Sequence, residues 1–205
     1  HARLVREKRG YEPLRALSIP TGWNATIGLL SLGLIGRGVA ERLRTFNVRV
    51  LAHDPLLAPG QFSEVGAESA TLDELFERSD VVSLHAPLLP ETLGIIDRRR
   101  LDLLKPSATF INTARGGLVR ESDLTDFLQQ RPDVQAILDV TDPEPPGPDS
   151  LLYELPNVFL TPHIAGSIGV ECRRMGRAMV DEFHRYARGE TLAYGVTREQ
   201  LARMA

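Results

Sequence analysis

Two periods of apolar residues alternate along this chain. An Ile- and Leu-rich run from Thr26 stops at Ser31-Leu32-Gly33, and a helical pattern starts at once. Leu34, Ile35, Val39 and Leu43 mark its apolar face; Glu41, Arg42 and Arg44 mark the other. Four further short apolar runs read as strands: Asn47 to Pro55, Asp80 to Pro87, Ala108 to Gly117 and Val134 to Val140. Asn157 to Gly166 reads as a last short one. Between them lie helical stretches. Thr71 to Arg78 carries Thr71 as N-cap and Glu74 as its capping-box partner. Arg99 to Pro106 is a short helix stopped by proline, and Leu124 to Leu128 lies in a helix capped by Ser122. Ile168 to Arg188 is a long helix, and Thr197 to Gln200 caps a final short one. Ala58 to Ala70 reads as a loop with a brief strand, and the proline-rich Asp142 to Asp149 as a stiff loop. Strands apolar on both faces, alternating with helices, predict an α/β fold built on a doubly wound parallel sheet.

Composition narrows the class. The chain has 205 residues and a net charge of −3, which suits one packed domain and argues against nucleic acid as the main partner. No apolar stretch approaches the roughly 18–20 residues of a membrane span. The single cysteine, Cys172, cannot form an internal disulfide, so a reducing, cytoplasmic setting is expected. His1 to Leu17 is mixed and basic, with a helix expected to end near Gly10 and a break at Pro20 and Gly22. It is either a solvated lead-in helix or an arm that packs on a partner subunit. The opening residues read as mid-protein, which suggests a fragment or an isolated domain.

The turn at Ser31 to Gly38 carries the first chemistry. A strand, a tight glycine turn and a helix open a dinucleotide-binding βαβ unit. Gly33 lets backbone amides approach a pyrophosphate, and Gly36 lets the helix pack close on the strand. The helix N-terminus adds about half a positive charge. Ser31 stands where the first glycine of the G-x-G-x-x-G pattern belongs. Asp54 ends the second strand, close to the spacing at which an acid meets the adenosine ribose. A carboxylate there accepts from the ribose hydroxyls and repels a 2′-phosphate, so NAD is expected over NADP.

In parallel sheets ligands bind beyond the carboxyl ends of the strands. That rule selects Asp54, His85, Arg115, Asp139 and His163. Hydride transfer to a ketone needs a group that holds the substrate carboxylate, a proton donor for the developing alkoxide, and a group that tunes the donor. Arg115 can grip a carboxylate through two parallel hydrogen bonds. An imidazole titrates near neutrality, so His163 suits acid/base work. A carboxylate such as Glu144 can hold an imidazolium in place. Arg115, Glu144 and His163 are therefore the candidate catalytic set.

At these residues the chain resembles the NAD-binding domain of the D-isomer-specific 2-hydroxyacid dehydrogenase family. The matching stretches are L-G-L-I-G-R-G-V-A-E-R-L, S-L-H-A-P-L-L-P-E-T-L-G-I-I, L-K-P-S-A-T-F-I-N-T-A-R-G-G-L-V, A-I-L-D-V-T-D-P-E-P-P and N-V-F-L-T-P-H-I-A-G. They run in the family's order from about Trp23 to Gly166. The resemblance implies that Arg115 orients the substrate carboxylate, Glu144 pairs with the histidine and His163 is the acid/base. It implies that Asp139 meets the nicotinamide carboxamide, that Pro87 and Thr92 line the cofactor phosphate and ribose, and that backbone at Leu34 and Ile35 holds the pyrophosphate. It also places His85, Thr113, Ala114 and Gly166 in the cofactor site, with Arg115 and His163 facing it. No metal is implied.

The implied activity is hydride transfer between NAD(H) and a 2-keto or D-2-hydroxy acid of the glyoxylate, hydroxypyruvate or phosphoglycerate type. The implied assembly is a homodimer. An NAD-sensing, corepressor-like binding protein of the same fold is the alternative class. Family members carry a substrate domain that nothing in this chain encodes. Residues 1–22 are then a crossover arm, 23–190 the Rossmann domain, and 191–205 a return toward the missing domain. Leu34 departs from the arginine the family often places there.

Overall fold

Leu29 and Leu30 are neighbours in the first strand, and both are buried, at 0% and 3% exposure. They can both be buried only if the sheet is covered on its two faces, because successive side chains in a strand point to opposite sides. The computed structural model describes residues 22–201. The expected helix and arm at His1 to Leu17 lie outside the described residues.

Seven strands form the sheet: β1 (Thr26–Leu30), β2 (Arg49–His53), β3 (Glu68–Ser69), β4 (Val81–Leu84), β5 (Thr109–Asn112), β6 (Gln135–Leu138) and β7 (Val158–Leu160). Their spatial order is β3-β2-β1-β4-β5-β6-β7, and every pairing is parallel. The chain leaves β1 toward β2 and β3, then returns to the other side of β1 as β4. That reversal places a crevice at the carboxyl ends of β1 and β4, where ligands of such sheets bind.

The helices are α1 (Leu34–Leu43), α2 (Pro59–Glu64), α3 (Leu72–Arg78), α4 (Arg98–Leu101), α5 (Glu121–Gln130), α6 (Val170–Ala187) and α7 (Arg198–Leu201). One face of the sheet packs Leu30, Leu51, Phe76, Phe110 and Phe127 into a large cluster. The other packs Leu29, Val50 and Ala52 with Ala40 of α1 and Phe62 of α2. Each large side chain removed from water in this way contributes about 1.5–3 kcal/mol.

The capping box on α3 forms as expected. Thr71 Oγ1 accepts from the Glu74 amide at 3.2 Å, and Glu74 Oε2 accepts from the Thr71 amide at 2.8 Å. Thr197 and Gln200 form the same reciprocal pair at α7. Three local expectations are corrected. Ala58 to Ala70 is not a loop alone, since α2 occupies Pro59–Glu64. Proline is tolerated in a helix's first turn, where its missing N–H has no partner to lose. Ser122 does not cap α5, which begins one residue earlier with Arg120 in the capping position and no side-chain cap. The apolar stripe of α1 is also displaced: Gly36 and Ala40 are buried, whereas Leu34 and Ile35 are 90% and 69% exposed.

Asn157 ties the sheet to the end of α5. Its Nδ2 donates to the carbonyls of Leu128, Arg131 and Val134 at 2.9–3.2 Å, and the residue is 3% exposed. Asn157→Ala takes this donor from the Leu128 and Val134 carbonyls in a dry site, while the Arg131 carbonyl keeps the Val134 amide at 3.0 Å. We expect a loss of about 2–3 kcal/mol, read as a lower urea midpoint at unchanged slope.

Candidate active site

Because the sheet is parallel, every strand ends on the same edge. Asp54 follows β2, His85 follows β4, Thr113 to Arg115 follow β5, Asp139 follows β6 and His163 follows β7. Asp54 and Asp139 are separated by four strand spacings, about 19 Å at roughly 4.8 Å each. The edge thus offers an elongated site with different chemistry at its two ends.

At the first end, β1 runs into the glycine turn. Ser31 lies at φ 75°, in the left-handed region that favours glycine, which explains the residue type the G-x-G-x-x-G pattern places there. Its hydroxyl donates to Asp54 Oδ2 at 3.2 Å, beside the Leu32 amide at 2.9 Å; the Leu56 amide donates to Oδ1 at 3.0 Å. The turn and the acid of the second strand are therefore one hydrogen-bonded unit. Gly36 is obligatory: a Cβ there would lie 2.1 Å from the Ser31 carbonyl oxygen. Gly33, the N-cap of α1, is open, with nothing within 4 Å of a built Cβ.

Two bulky apolar side chains, Leu34 and Ile35, stand exposed beside that open backbone. The first amides of a helix lack partners within it. Open amides at a positive helix end, next to a held carboxylate, fit a pyrophosphate and its ribose. Replacing Ser31 by glycine relieves the left-handed backbone, raising stability by about 1 kcal/mol. It should tighten NAD binding or leave it unchanged in a fluorescence titration; a marked loss would show that the hydroxyl serves the site, through its hydrogen bond to Asp54 or through the phosphates.

In the middle of the edge, His85 is half-buried, with Nε2 at 3.1 Å from Ser83 Oγ. Burial pushes its imidazole below the ordinary histidine range, so the neutral form prevails. Thr92 organises the following loop: Oγ1 donates to the Pro87 carbonyl at 2.6 Å and accepts from the Leu89 amide at 2.8 Å.

The β5 turn is held by Asn112, a residue that sequence reasoning missed. It is 1% exposed; its Oδ1 accepts from the Ala114 amide at 3.0 Å and its Nδ2 donates to the Arg115 carbonyl at 2.9 Å. A polar residue ending a buried strand was the available signal. Arg115 itself is exposed, with Nη1 on the Ala114 carbonyl at 2.6 Å. The next residue has no room for a side chain, since a Cβ at Gly116 would fall 1.9 Å from the Thr141 carbonyl oxygen.

At the far end, His163 Nδ1 lies 2.7 Å from Glu144 Oε1. The pair is open to solvent, with side chains 47% and 43% exposed. His163 sits at φ 51°, and its amide donates to the Asp139 carbonyl at 3.0 Å. Asp139 is buried beneath it. Its Oδ1 accepts from the Thr161 hydroxyl and from the Ile164 amide at 2.9 Å, and its Oδ2 from the Ala165 amide at 2.8 Å. Burial pushes the Asp139 carboxyl up, but these hydrogen bonds outweigh it and hold the carboxyl below its ordinary range. In this arrangement Asp139 clamps both sides of His163. Thr161 completes the clamp and was not foreseen. Gly166, three residues on, is exposed. Among the described residues, no group of three or more His, Cys, Asp or Glu is arranged to hold a metal.

A seven-stranded parallel sheet with a helix N-terminus and an acid at its switch point is a dinucleotide-binding Rossmann domain. The family model described as "D-isomer specific 2-hydroxyacid dehydrogenase, NAD binding domain" matches residues 2–165. D-3-phosphoglycerate dehydrogenase of Mycobacterium tuberculosis is 37% identical over 183 residues, 86% of this chain and 34% of that protein. Glyoxylate reductase of Korarchaeum cryptofilum is 35% identical over 191 residues, 92% of this chain and 57% of that protein.

Among solved structures, D-mandelate dehydrogenase of Rhodotorula graminis superposes with a TM-score of 0.82 at 26% identity, covering 96% of this chain and 59% of its own. D-lactate dehydrogenase of Lactobacillus jensenii, solved with NAD+, gives 0.76 at 28% identity, with 96% and 64% coverage. The chain spans about a third of the phosphoglycerate dehydrogenase and just over half of the glyoxylate reductase. It belongs to the D-isomer specific 2-hydroxyacid dehydrogenase family, of which it is an NAD-binding domain.

Proposed function

We propose that this chain is the cofactor-binding part of a dehydrogenase that moves a hydride between NAD(H) and a 2-keto/D-2-hydroxy acid. The contact between His163 Nδ1 and Glu144 Oε1 at 2.7 Å carries the reading. It leaves Nε2 as the nitrogen that faces a substrate oxygen. In the reducing direction Nε2–H gives its proton to the developing alkoxide; in the oxidising direction Nε2 takes the proton from the hydroxyl. Glu144 holds Nδ1–H and offsets the positive charge of the imidazolium. Arg115, exposed at the end of β5, two strands from β7, receives the substrate carboxylate. Bound NADH supplies the hydride. The residues at the glycine turn bind and orient that cofactor, with Asp54 on the adenosine ribose.

The proposed Rossmann domain runs over 23–190, and 191–205, of which 202–205 lie outside the described residues, is proposed as the return toward a substrate domain. The 18-residue α6 within it buries no residue, and it exposes Met175, Met179, Phe183 and Tyr186. Left uncovered by the described residues, this face supports a further protein surface against it, and a homodimer is part of the reading. A small, charged keto-acid substrate and one free cysteine, Cys172, support a reducing cytosol. No helix among the described residues is long and apolar enough to cross a membrane. The test is NADH oxidation by the intact protein with glyoxylate, hydroxypyruvate and related 2-keto acids. Turnover with at least one is expected. NADH binding without turnover on any of them would overturn the proposal.

A further inference from the structure

We propose that Glu121 is a positioning residue that sets the Glu144 carboxylate against His163, a role that rests on the dehydrogenase reading above. Glu121 opens α5, six residues after Arg115. Its Oε2 accepts from the Asp142 amide at 3.2 Å. Asp142 lies two residues before Glu144, and Thr141, just upstream, donates from Oγ1 to the Pro143 carbonyl at 2.8 Å. The loop is thus pinned by Glu121 just upstream of the residue that meets His163. Among the described residues, the other side chains from outside residues 142–149 that hydrogen-bond them, apart from His163, are Thr141, the loop's immediate neighbour, and Tyr153, on the Pro146 carbonyl at 3.1 Å.

Backbone packing gives this tie its leverage. The Arg115 turn and the Glu144 loop touch directly, because a Cβ at Gly116 would lie 1.9 Å from the Thr141 carbonyl oxygen. The cavity left between them is about 10 Å³, the size of one water at most, and is lined by Asn112, Gly116, Glu121, Thr141 and Asp142. One carboxylate therefore joins the segment that carries the substrate-binding arginine to the segment that carries the histidine's partner. Burial pushes the Glu121 carboxyl above its ordinary range, and the neighbouring Asp142 charge adds to this, against the pull of the Asp142 amide. An apolar residue would be cheaper to bury there. What the carboxylate supplies is the acceptor for the Asp142 N–H.

The test is a double-mutant cycle in the intact protein, with NADH and whichever 2-keto acid it reduces. Glu121→Ala is expected to lower kcat about tenfold while leaving the NADH Kd within twofold. Glu121→Gln, whose amide oxygen accepts the same N–H, should recover most of the loss. Glu121→Leu, which keeps the volume without the acceptor, should behave as alanine does and covers the case in which the alanine variant fails to fold. Glu121→Ala combined with Glu144→Ala should be no slower than Glu144→Ala alone. A kcat within twofold of wild type for both Glu121→Ala and Glu121→Leu, or losses that multiply in the double variant, would overturn the proposal. If Glu144→Ala itself leaves kcat unchanged, the dehydrogenase reading of the pair fails and this role falls with it. If Glu144→Ala is slow and the Glu121 variants are not, this role alone fails.

Discussion

His163→Ala should lower kcat of the intact protein by roughly 10²–10⁴-fold, the usual contribution of a positioned acid/base. Cofactor binding should persist, because the glycine turn and Asp54 lie at the opposite end of the strand edge. The imidazole lies on the surface and forms one side-chain hydrogen bond, to Glu144. Its removal leaves no buried group unpaired, so the melting temperature should move little. The loop keeps its shape, because Asp139 grips the Ile164 and Ala165 amides rather than the ring. Steady-state kinetics with an NADH titration alongside would check this. Unchanged kcat would mean that another group moves the proton.

Gly36→Ala should damage binding and stability together. The new Cβ would sit 2.1 Å from the backbone oxygen of Ser31, and backbone cannot rotate out of the way as a side chain can. Overpacking of this kind costs about 1–3 kcal/mol. It pushes the start of α1 away from β1, so the amides that face the pyrophosphate move with it. NAD affinity should fall by about ten- to a hundredfold. Gly33→Ala is the informative contrast. Its Cβ meets nothing within 4 Å, so the fold should keep its stability. A loss of NAD affinity in this variant would then report the bound cofactor and not the scaffold. Equal loss of stability in both variants would show that the turn is not built as described.

The strand ends explain why so much of the site was legible. A parallel α/β sheet gathers all its carboxyl ends on one edge, so polar residues that close apolar runs are candidates from the sequence alone. Asp54, His85, Arg115, Asp139 and His163 were selected by that rule, and all five follow strands on that edge. Boundaries were less legible where local residue preferences mislead. Ala58 to Ala70 reads as a loop with a brief strand, yet Pro59 and Gly60 open α2. Ser122 has the chemistry of a cap, yet Glu121 already stands in the helix before it. On α1 the apolar Leu34 and Ile35 imitate a core stripe, while the buried positions are Gly36 and Ala40.

The order of elements and the residue types at the strand ends are legible in the chain alone. Hydrophobic periodicity and turn chemistry are local, so they survive in one dimension. Which of those residues meet is set by the fold. Ser31 and Asp54 are 23 positions apart and share a hydrogen bond. Glu144 and His163 are 19 apart and lie on separate loops. Asp139 turns its carboxylate toward the His163 loop, with help from Thr161, 22 positions on. Such pairings depend on strand order and loop packing between distant segments, and neither is written in the spacing of any single stretch. The serine in the glycine turn shows the difference most plainly. In the sequence it is a departure from a pattern; in the fold its backbone takes the glycine conformation and its hydroxyl reaches the acid at the end of the next strand.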